Sequence, residues 1–279
     1  VTAATQRRGF RELATIAVPP AAVLEPQAPP AAHFHILKLE PNTVVWIGSC
    51  TQGRGSAIYK MYRNRSAASW CREHAFRFRV EREFQSLSAL VRYGIRCSVP
   101  DFWTFGRDAD HGRFEILCMC VIPEATPMNE LVAAGRAREI DFSELYQLVR
   151  RMHQKGFYHG RLDLRNVLLG HDESGNPRSH IIDTPQAIEF PHDITGTKMA
   201  WMDLRQLTRD IKVRVGQEHC RPLLARYGMD EAGISAMMRD LAGRGRPLLQ
   251  RNLLRFGFGL RAQVAALLAR TPSPTSPRI

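Results

Sequence analysis

The sequence predicts an α+β fold in two lobes: a five-stranded antiparallel sheet with one helix on it, then a mainly helical lobe. Three observations predict it. Short apolar runs with strand character dominate residues before 123, interrupted by one stretch of helical period, and beyond Pro123 the character turns mainly helical. The chain has 279 residues, 44% of them hydrophobic, enough to bury the core of one bilobal domain. No internal repeat competes with this reading.

Taken in order, residues 1–33 carry Pro19, Pro20, Pro26, Pro29 and Pro30 among alanines and read as a flexible arm. Residues 35–39 and 43–47 read as strands joined by a turn at Glu40-Pro41-Asn42, and 56–62 as a third strand that carries Lys60. The spacing of Val80, Phe84, Leu87 and Val91 predicts a helix over 80–93, closed by Gly94. Residues 99–105 and 114–122 complete the sheet, with a polar loop at 106–112 between them. A capping box at Asp141-Phe-Ser-Glu144 opens a helix with Leu145, Leu148, Val149 and Met152 on one face, ending at Gly156. Two short apolar runs, 167–169 and 180–182, flank a hairpin tip at 172–177, and 201–241 is largely helical. The domain boundaries that follow are 1–33 for the arm, 34–122 and 123–245 for the lobes, and 246–279 for a basic C-terminal helix and tail.

The formal charge of +12 and pI near 10.0 select acidic partners: nucleic acid, phosphosugars or an anionic membrane surface. No nucleic-acid-binding signature accompanies the charge, so a nucleic-acid-binding protein is the least favoured class. The cysteines, at Cys50, Cys71, Cys97, Cys118, Cys120 and Cys220, form no C-x-x-C pair, which argues against structural zinc. Cys118 and Cys120 alternate on one strand and are expected on one face as buried reduced thiols. Residues 13–18 are too short for a signal-peptide core, and no apolar run approaches the ~20 residues of a membrane span. A cytoplasmic location is expected.

The segment that carries chemistry is His159-Gly-Arg-Leu-Asp-Leu-Arg-Asn166, which follows an amphipathic helix and leads through a hairpin to Ile181-Ile182-Asp183. A carboxylate that ends a buried strand needs a cation or a metal beside it. His159 reads more readily as a core histidine bonded to backbone than as a base, and Asn166 alone reads as a turn cap. Together their order resembles the catalytic loop and metal-binding segment of the protein-kinase superfamily. The wording of Met152-His-x-x-Gly-Phe-x-His159-Gly, of the hairpin into Asp183, and of Asp203-Leu-Arg-Gln-Leu resembles the bacterial lipopolysaccharide (Kdo/heptose) kinases, over roughly residues 35–215.

That resemblance implies a protein-kinase-like fold with ATP and magnesium (Mg2+) as cofactors. It implies Asn166 and Asp183 as magnesium ligands in the catalytic segment. Lys60, in Ala57-Ile-Tyr-Lys60, would contact phosphates and pair with Glu83, with Glu81 as the fallback. Ile122 and Glu124, in Ile122-Pro-Glu-Ala-Thr126, would be nucleotide-binding residues of the inter-lobe hinge, and Asp203 would brace the loop. The acceptor would be an acidic glycolipid or phosphosugar, reached in the cytoplasm or at the cytoplasmic face of the inner membrane.

Three departures stand against the family pattern. Arg161 occupies the place of the catalytic aspartate, and the loss of a general base costs about 10²–10⁴-fold in rate. Gly53 and Gly55 lie too close to Lys60 to form a phosphate-binding glycine loop. Asp183-Thr-Pro fixes the backbone where a mobile segment would begin. Two functions therefore stay open. One is a phosphotransferase acting on a sugar hydroxyl of a lipopolysaccharide inner core, with Asp163 beside Arg161 as the substitute base. The other is a pseudokinase that binds nucleotide or a protein partner. From Gly243 onward there are seven arginines and no acidic residue. Leu253, Phe256, Leu260, Val264 and Leu267 there would either meet anionic lipid or pack on the large lobe.

Overall fold

Strand-type alternation between His35 and Cys120 closes into one antiparallel sheet, order β1-β2-β3-β5-β4, in the computed structural model. The structure describes residues 35–40, 42–49, 56–64, 79–108, 112–172 and 174–243. The predicted N-terminal arm, Cys50, Cys71, Gly53, Gly55 and the basic tail from Arg244 lie outside the described residues.

The strands are β1 (His35–Glu40), β2 (Thr43–Ser49), β3 (Ser56–Asn64), β4 (Pro100–Asp108) and β5 (Gly112–Cys120). Alternation gives the sheet two different faces. On one, Val44, Trp46, Tyr59, Met61, Phe102 and Ile116 form a buried apolar cluster, with the Trp46 and Tyr59 rings stacked at 5.3 Å. The other face carries Lys60, Tyr62 and Glu115 and receives α1 (Arg79–Arg92), whose Val80, Phe84, Leu87 and Leu90 are buried.

Three expectations need correction here. Val91 is 42% exposed, although it falls on the predicted apolar stripe. The helix ends in a left-handed turn at Gly94 (φ 67), and the Ile95 N–H bonds back to the Leu90 carbonyl at 2.9 Å. This fold-back puts Ile95 against Leu90 and makes that side of the last turn the buried one. The polar loop at 106–112 is shorter than expected: pairing continues to Asp108↔Gly112, because ladder hydrogen bonds need no apolar side chain. The two alternating thiols also part company. Cys118 is buried, but Cys120 ends its strand at the rim of the sheet and is exposed.

The described residues divide into two compact units. One runs to Glu144 and includes 164–186; the other comprises 145–163 and 187–243. The first unit adds β6 (Thr126–Pro127), α2 (Met128–Ala133) and a hairpin of β8 (Val167–His171) and β9 (Pro177–Ile181), with β8 between β6 and β9. Asp141 caps the next helix by accepting from the Glu144 N–H at 3.0 Å. The Glu144 carboxylate turns to the hairpin side, pairing with Arg96 and accepting from the Ser179 N–H at 3.2 Å. Arg96 in turn donates Nε–H to the Ser179 carbonyl at 3.1 Å, so polar groups at the hairpin base are satisfied within the unit.

The second unit holds the body of α3 (Phe142–Gln154), the two-residue pair β7 (Phe157–Tyr158) and β10 (Ile188–Glu189), and three helices: α4 (Lys198–Arg214), α5 (Cys220–Tyr227) and α6 (Glu231–Ala242). Leu145, Leu148, Val149 and Met152 are buried, as the helical period required. Asp240 Oδ2 accepts from both Trp201 Nε1 (3.2 Å) and Arg205 Nε (2.8 Å), tying α6 to α4. Gly156 takes φ 76, and its carbonyl accepts from the Phe190 N–H at 2.8 Å.

Two predictions follow from this packing. Burial, with the Arg96 guanidinium nearby, holds the His180 imidazole down to about 4 from 6.5. Below pH 6.5 the unfolded chain takes a proton that the folded chain refuses, so His180 lowers stability as pH falls from about 6.5 to about 4 and adds nothing further below that. Urea midpoints across this window will fall less steeply for His180→Phe than for the wild type. Gly156→Ala would place a Cβ 2.2 Å from the Phe190 carbonyl oxygen and 2.6 Å from that of His192. With the positive φ added, urea unfolding should show a loss of about 2 kcal/mol or more.

Candidate functional site

The chemistry in the first unit gathers around Lys60 of β3. The residue is only 9% exposed, and an ammonium so placed needs anions around it. Its Nζ donates to Glu83 Oε1 of α1 at 2.8 Å, and it also pairs with the Asp183 carboxylate. Glu83 is 1% exposed and has a second partner, since its Oε2 accepts from the Tyr62 hydroxyl at 2.8 Å. Burial pulls the Lys60 pKa down, but Glu83, Tyr62 and Asp183 together hold it well above 10.5. The lysine is therefore a fixed positive charge. Glu81, the fallback partner, is engaged instead by Gln85 Nε2 at 3.3 Å on the helix's own surface.

Asp183 reaches Lys60 through an unusual backbone. Asp183 (φ 59) and Glu124 (φ 51) are the non-glycine residues with positive φ among those described. Aspartate tolerates this region better than most side chains. Just before it, the Ile182 N–H donates to the Asn166 carbonyl at 3.0 Å, extending the β8–β9 ladder. Asn166, buried at the end of the 3-10 turn Leu164–Asn166, is thus held opposite the chain that delivers Asp183. The hinge residues part ways. Ile122 is buried, its Cγ2 so close to Gly170 that a Cβ there would stand 2.5 Å away. The Glu124 side chain is 80% exposed, with its carboxylate 3.3 Å from His171 Nδ1.

An amide oxygen on Asn166 and a carboxylate on Asp183 are the hard donors that magnesium takes, few in number because phosphates and water complete its shell. The residues present fit that ion.

In the second unit, the buried Asp203 of α4 holds the loop backbone. Its Oδ2 accepts from the His159 N–H at 2.7 Å and its Oδ1 from the Gly160 N–H at 3.0 Å. His153 Nε2 lies 3.3 Å from Oδ2, and His153 Nδ1 meets the Tyr227 hydroxyl at 2.8 Å. His159 is buried and its Nδ1 accepts from the Arg161 N–H at 3.2 Å. Arg161 itself is exposed, while Asp163 is buried and accepts from Gln206 Nε2 at 3.2 Å.

Of the residues proposed from sequence, the first unit thus brings Lys60, Glu83 and Asp183 into one ion cluster and sets Asn166 against the strand beside it. Arg161 and Asp163 stand in the other unit. Sequence reasoning missed Tyr62, Glu115, His153 and Gln206. The signal for Tyr62 was available, because two residues beyond Lys60 on a strand is the same face.

A strand lysine locked to a helix carboxylate, with an aspartate delivered to it by a β-hairpin, belongs to the protein-kinase-like class. The sequence narrows this further: residues 40–227 match the model of the Lipopolysaccharide kinase (Kdo/WaaP) family, and the chain belongs to that family. Similar curated proteins include the 3-deoxy-D-manno-octulosonic acid kinases of Xylella fastidiosa strains M23 and Temecula1 / ATCC 700964. Each is 26% identical over 129 residues, covering 43% of this chain and 49% of the relative. The match thus spans about half the length of these relatives. Among solved structures, WaaP in complex with acyl carrier protein is similar at TM-score 0.53 and 14% identity, over 85% of this chain and 97% of that one, a likeness of fold.

Asp203→Ala would leave two buried N–H groups without their acceptor, each costing about 1–3 kcal/mol. Urea denaturation should show a loss of about 3 kcal/mol or more, and a smaller one for Asp203→Asn, which keeps an acceptor oxygen.

Proposed function

We propose that this chain is an ATP-dependent kinase that phosphorylates a sugar hydroxyl of an acidic glycolipid, of the lipopolysaccharide inner-core type. The observation that carries the reading is the buried Lys60 ammonium held between Glu83 and Asp183. One ammonium and two carboxylates leave the cluster net negative, so phosphate enters it with a cation: Lys60 is charged and oriented toward phosphate oxygens, and the Asp183 carboxylate suits the cation. Family membership and the sugar-kinase relatives support the acceptor class. The +12 net charge suits an anionic acceptor at the cytoplasmic face of the inner membrane. Among the described residues, no helix is long and apolar enough to cross a membrane.

In this mechanism Lys60 binds phosphate oxygens of the nucleotide and Glu83 fixes its direction. Asn166 and Asp183 would hold magnesium, which when bound screens the charge that builds on the transferring phosphoryl group. Ile122 and the hinge residues around Glu124 flank the nucleotide base. Transfer is positioning and charge stabilisation more than covalent chemistry, so a weakened base slows it without abolishing it. Arg161 cannot take a proton at neutral pH. Asp163, held by Gln206, is the carboxylate that the same loop offers in its place.

Arg161 is also the observation that favours a second reading, a pseudokinase that binds nucleotide without efficient transfer. The experiment that decides is phosphate transfer from labelled ATP to purified lipopolysaccharide acceptor with magnesium, beside a thermal-shift titration of the same protein with nucleotide. Kinase function predicts acceptor-dependent transfer that falls about 100-fold or more in Asp183→Ala and rises in Arg161→Asp. A nucleotide-induced shift with no transfer supports the pseudokinase. Turnover indifferent to both substitutions overturns the assignment of the site.

A further inference from the structure

In protein kinases the lysine–glutamate pair forms only when the helix that carries the glutamate is in place, and moving that helix is a common means of control. In this chain the first turn of the corresponding helix is fastened to the sheet at several points by two adjacent side chains. Tyr62 and Glu115 are register partners on β3 and β5 and share the face that receives α1. Glu115 is buried, and its Oε2 accepts from the Val80 N–H at 3.1 Å, satisfying one of the open donors at the start of α1. Tyr62 donates its hydroxyl to Glu83 Oε2 at 2.8 Å. Its ring lies under the guanidinium of Arg79, the first residue of α1, with Cζ 4.0 Å from the ring centroid. Burial and the adjoining Glu83 carboxylate push the Tyr62 phenol well above its ordinary 10, so it remains a donor at every physiological pH.

We propose that Tyr62 is a positioning residue of the nucleotide site: with Glu115, it locks α1 onto the sheet so that the Lys60–Glu83 pair stands permanently formed, without an activating partner or modification. The geometry gives the reason. A glutamate held by lysine alone can swing away with its helix, but Glu83 has each oxygen tied to a different side chain of the same strand. Lys60 and Tyr62 sit two residues apart on β3, so the carboxylate bridges them as a fork, and α1 cannot withdraw without stripping a buried charge of both partners. That loss is far costlier than leaving a surface pair. The inference rests on the nucleotide reading of the Lys60 site given above.

Tyr62→Phe is the clean test, because it removes one hydroxyl and keeps the ring beneath Arg79. Magnesium-ATP affinity of the full chain should be measured by calorimetry for the wild type, Tyr62→Phe, Glu83→Gln and the double variant. The expected result is a loss of about tenfold in affinity for Tyr62→Phe alone, and little further loss when it is added to Glu83→Gln. A merely structural tyrosine would lower the unfolding midpoint and leave the affinity within about twofold, which would overturn the proposal. If the wild type does not bind magnesium-ATP, the nucleotide reading fails, and the lock is decided by urea unfolding of Tyr62→Phe, Lys60→Met and their double variant. Midpoint shifts that fall short of additive then support a shared grip on Glu83; additive shifts refute it.

Discussion

One buried ammonium organises the first unit. A lysine this far from water is tolerable only if negative charge surrounds it, and Lys60 meets that demand with carboxylates from a helix and from the residue after a hairpin. The requirement sets the register of β3, because a shift of one residue would turn Lys60 to the apolar face among Trp46, Phe102 and Ile116 and turn Tyr59 and Met61 away from it. It also accounts for the left-handed backbone at Asp183, a conformation that costs energy and persists because the cluster rewards it. Tyr62 and Glu115 belong to the same arrangement: once a glutamate is buried to serve the lysine, its second oxygen needs a donor too.

The second unit solves a different problem by similar means. The segment from His159 to Gly160 leaves regular structure while still buried, so its N–H groups need acceptors that no strand supplies. Asp203 supplies them from the middle of α4, and His153 with Tyr227 completes the surroundings of the carboxylate. The loop is therefore rigid on account of a helix far downstream in sequence. Its side-chain content is a separate matter. Arg161 in place of a carboxylate changes the chemistry open to the loop while leaving the backbone scaffold that Asp203 holds.

Much of this was legible in the residues. Alternation and helical period located the five strands, α1 and α3, because both patterns report which side of an element is dry. The order of loop, hairpin and Asp183 pointed to the protein-kinase superfamily and to the lipopolysaccharide kinases. The misreadings occurred at ends. Val91 lies on the correct stripe but in a last turn where Ile95 folds back on Leu90. Cys120 alternates correctly with Cys118 but stands where the sheet stops. Periodicity describes the middle of an element and is blind to what lies past its end.

What the sequence by itself determined is the five sheet strands, the helices α1 and α3, the hairpin and the candidate ions, since hydrophobic period and residue type are local properties. Only the tertiary structure decided which ions meet. Asp183 joins the expected Glu83 at Lys60, Glu144 serves Arg96 and Ser179, and Tyr62 shares the carboxylate of Glu83. These choices are settled by how a helix is rotated on a sheet and how a hairpin approaches it. A buried charge takes whichever partner the packing delivers within reach, and that is a property of the fold as a whole.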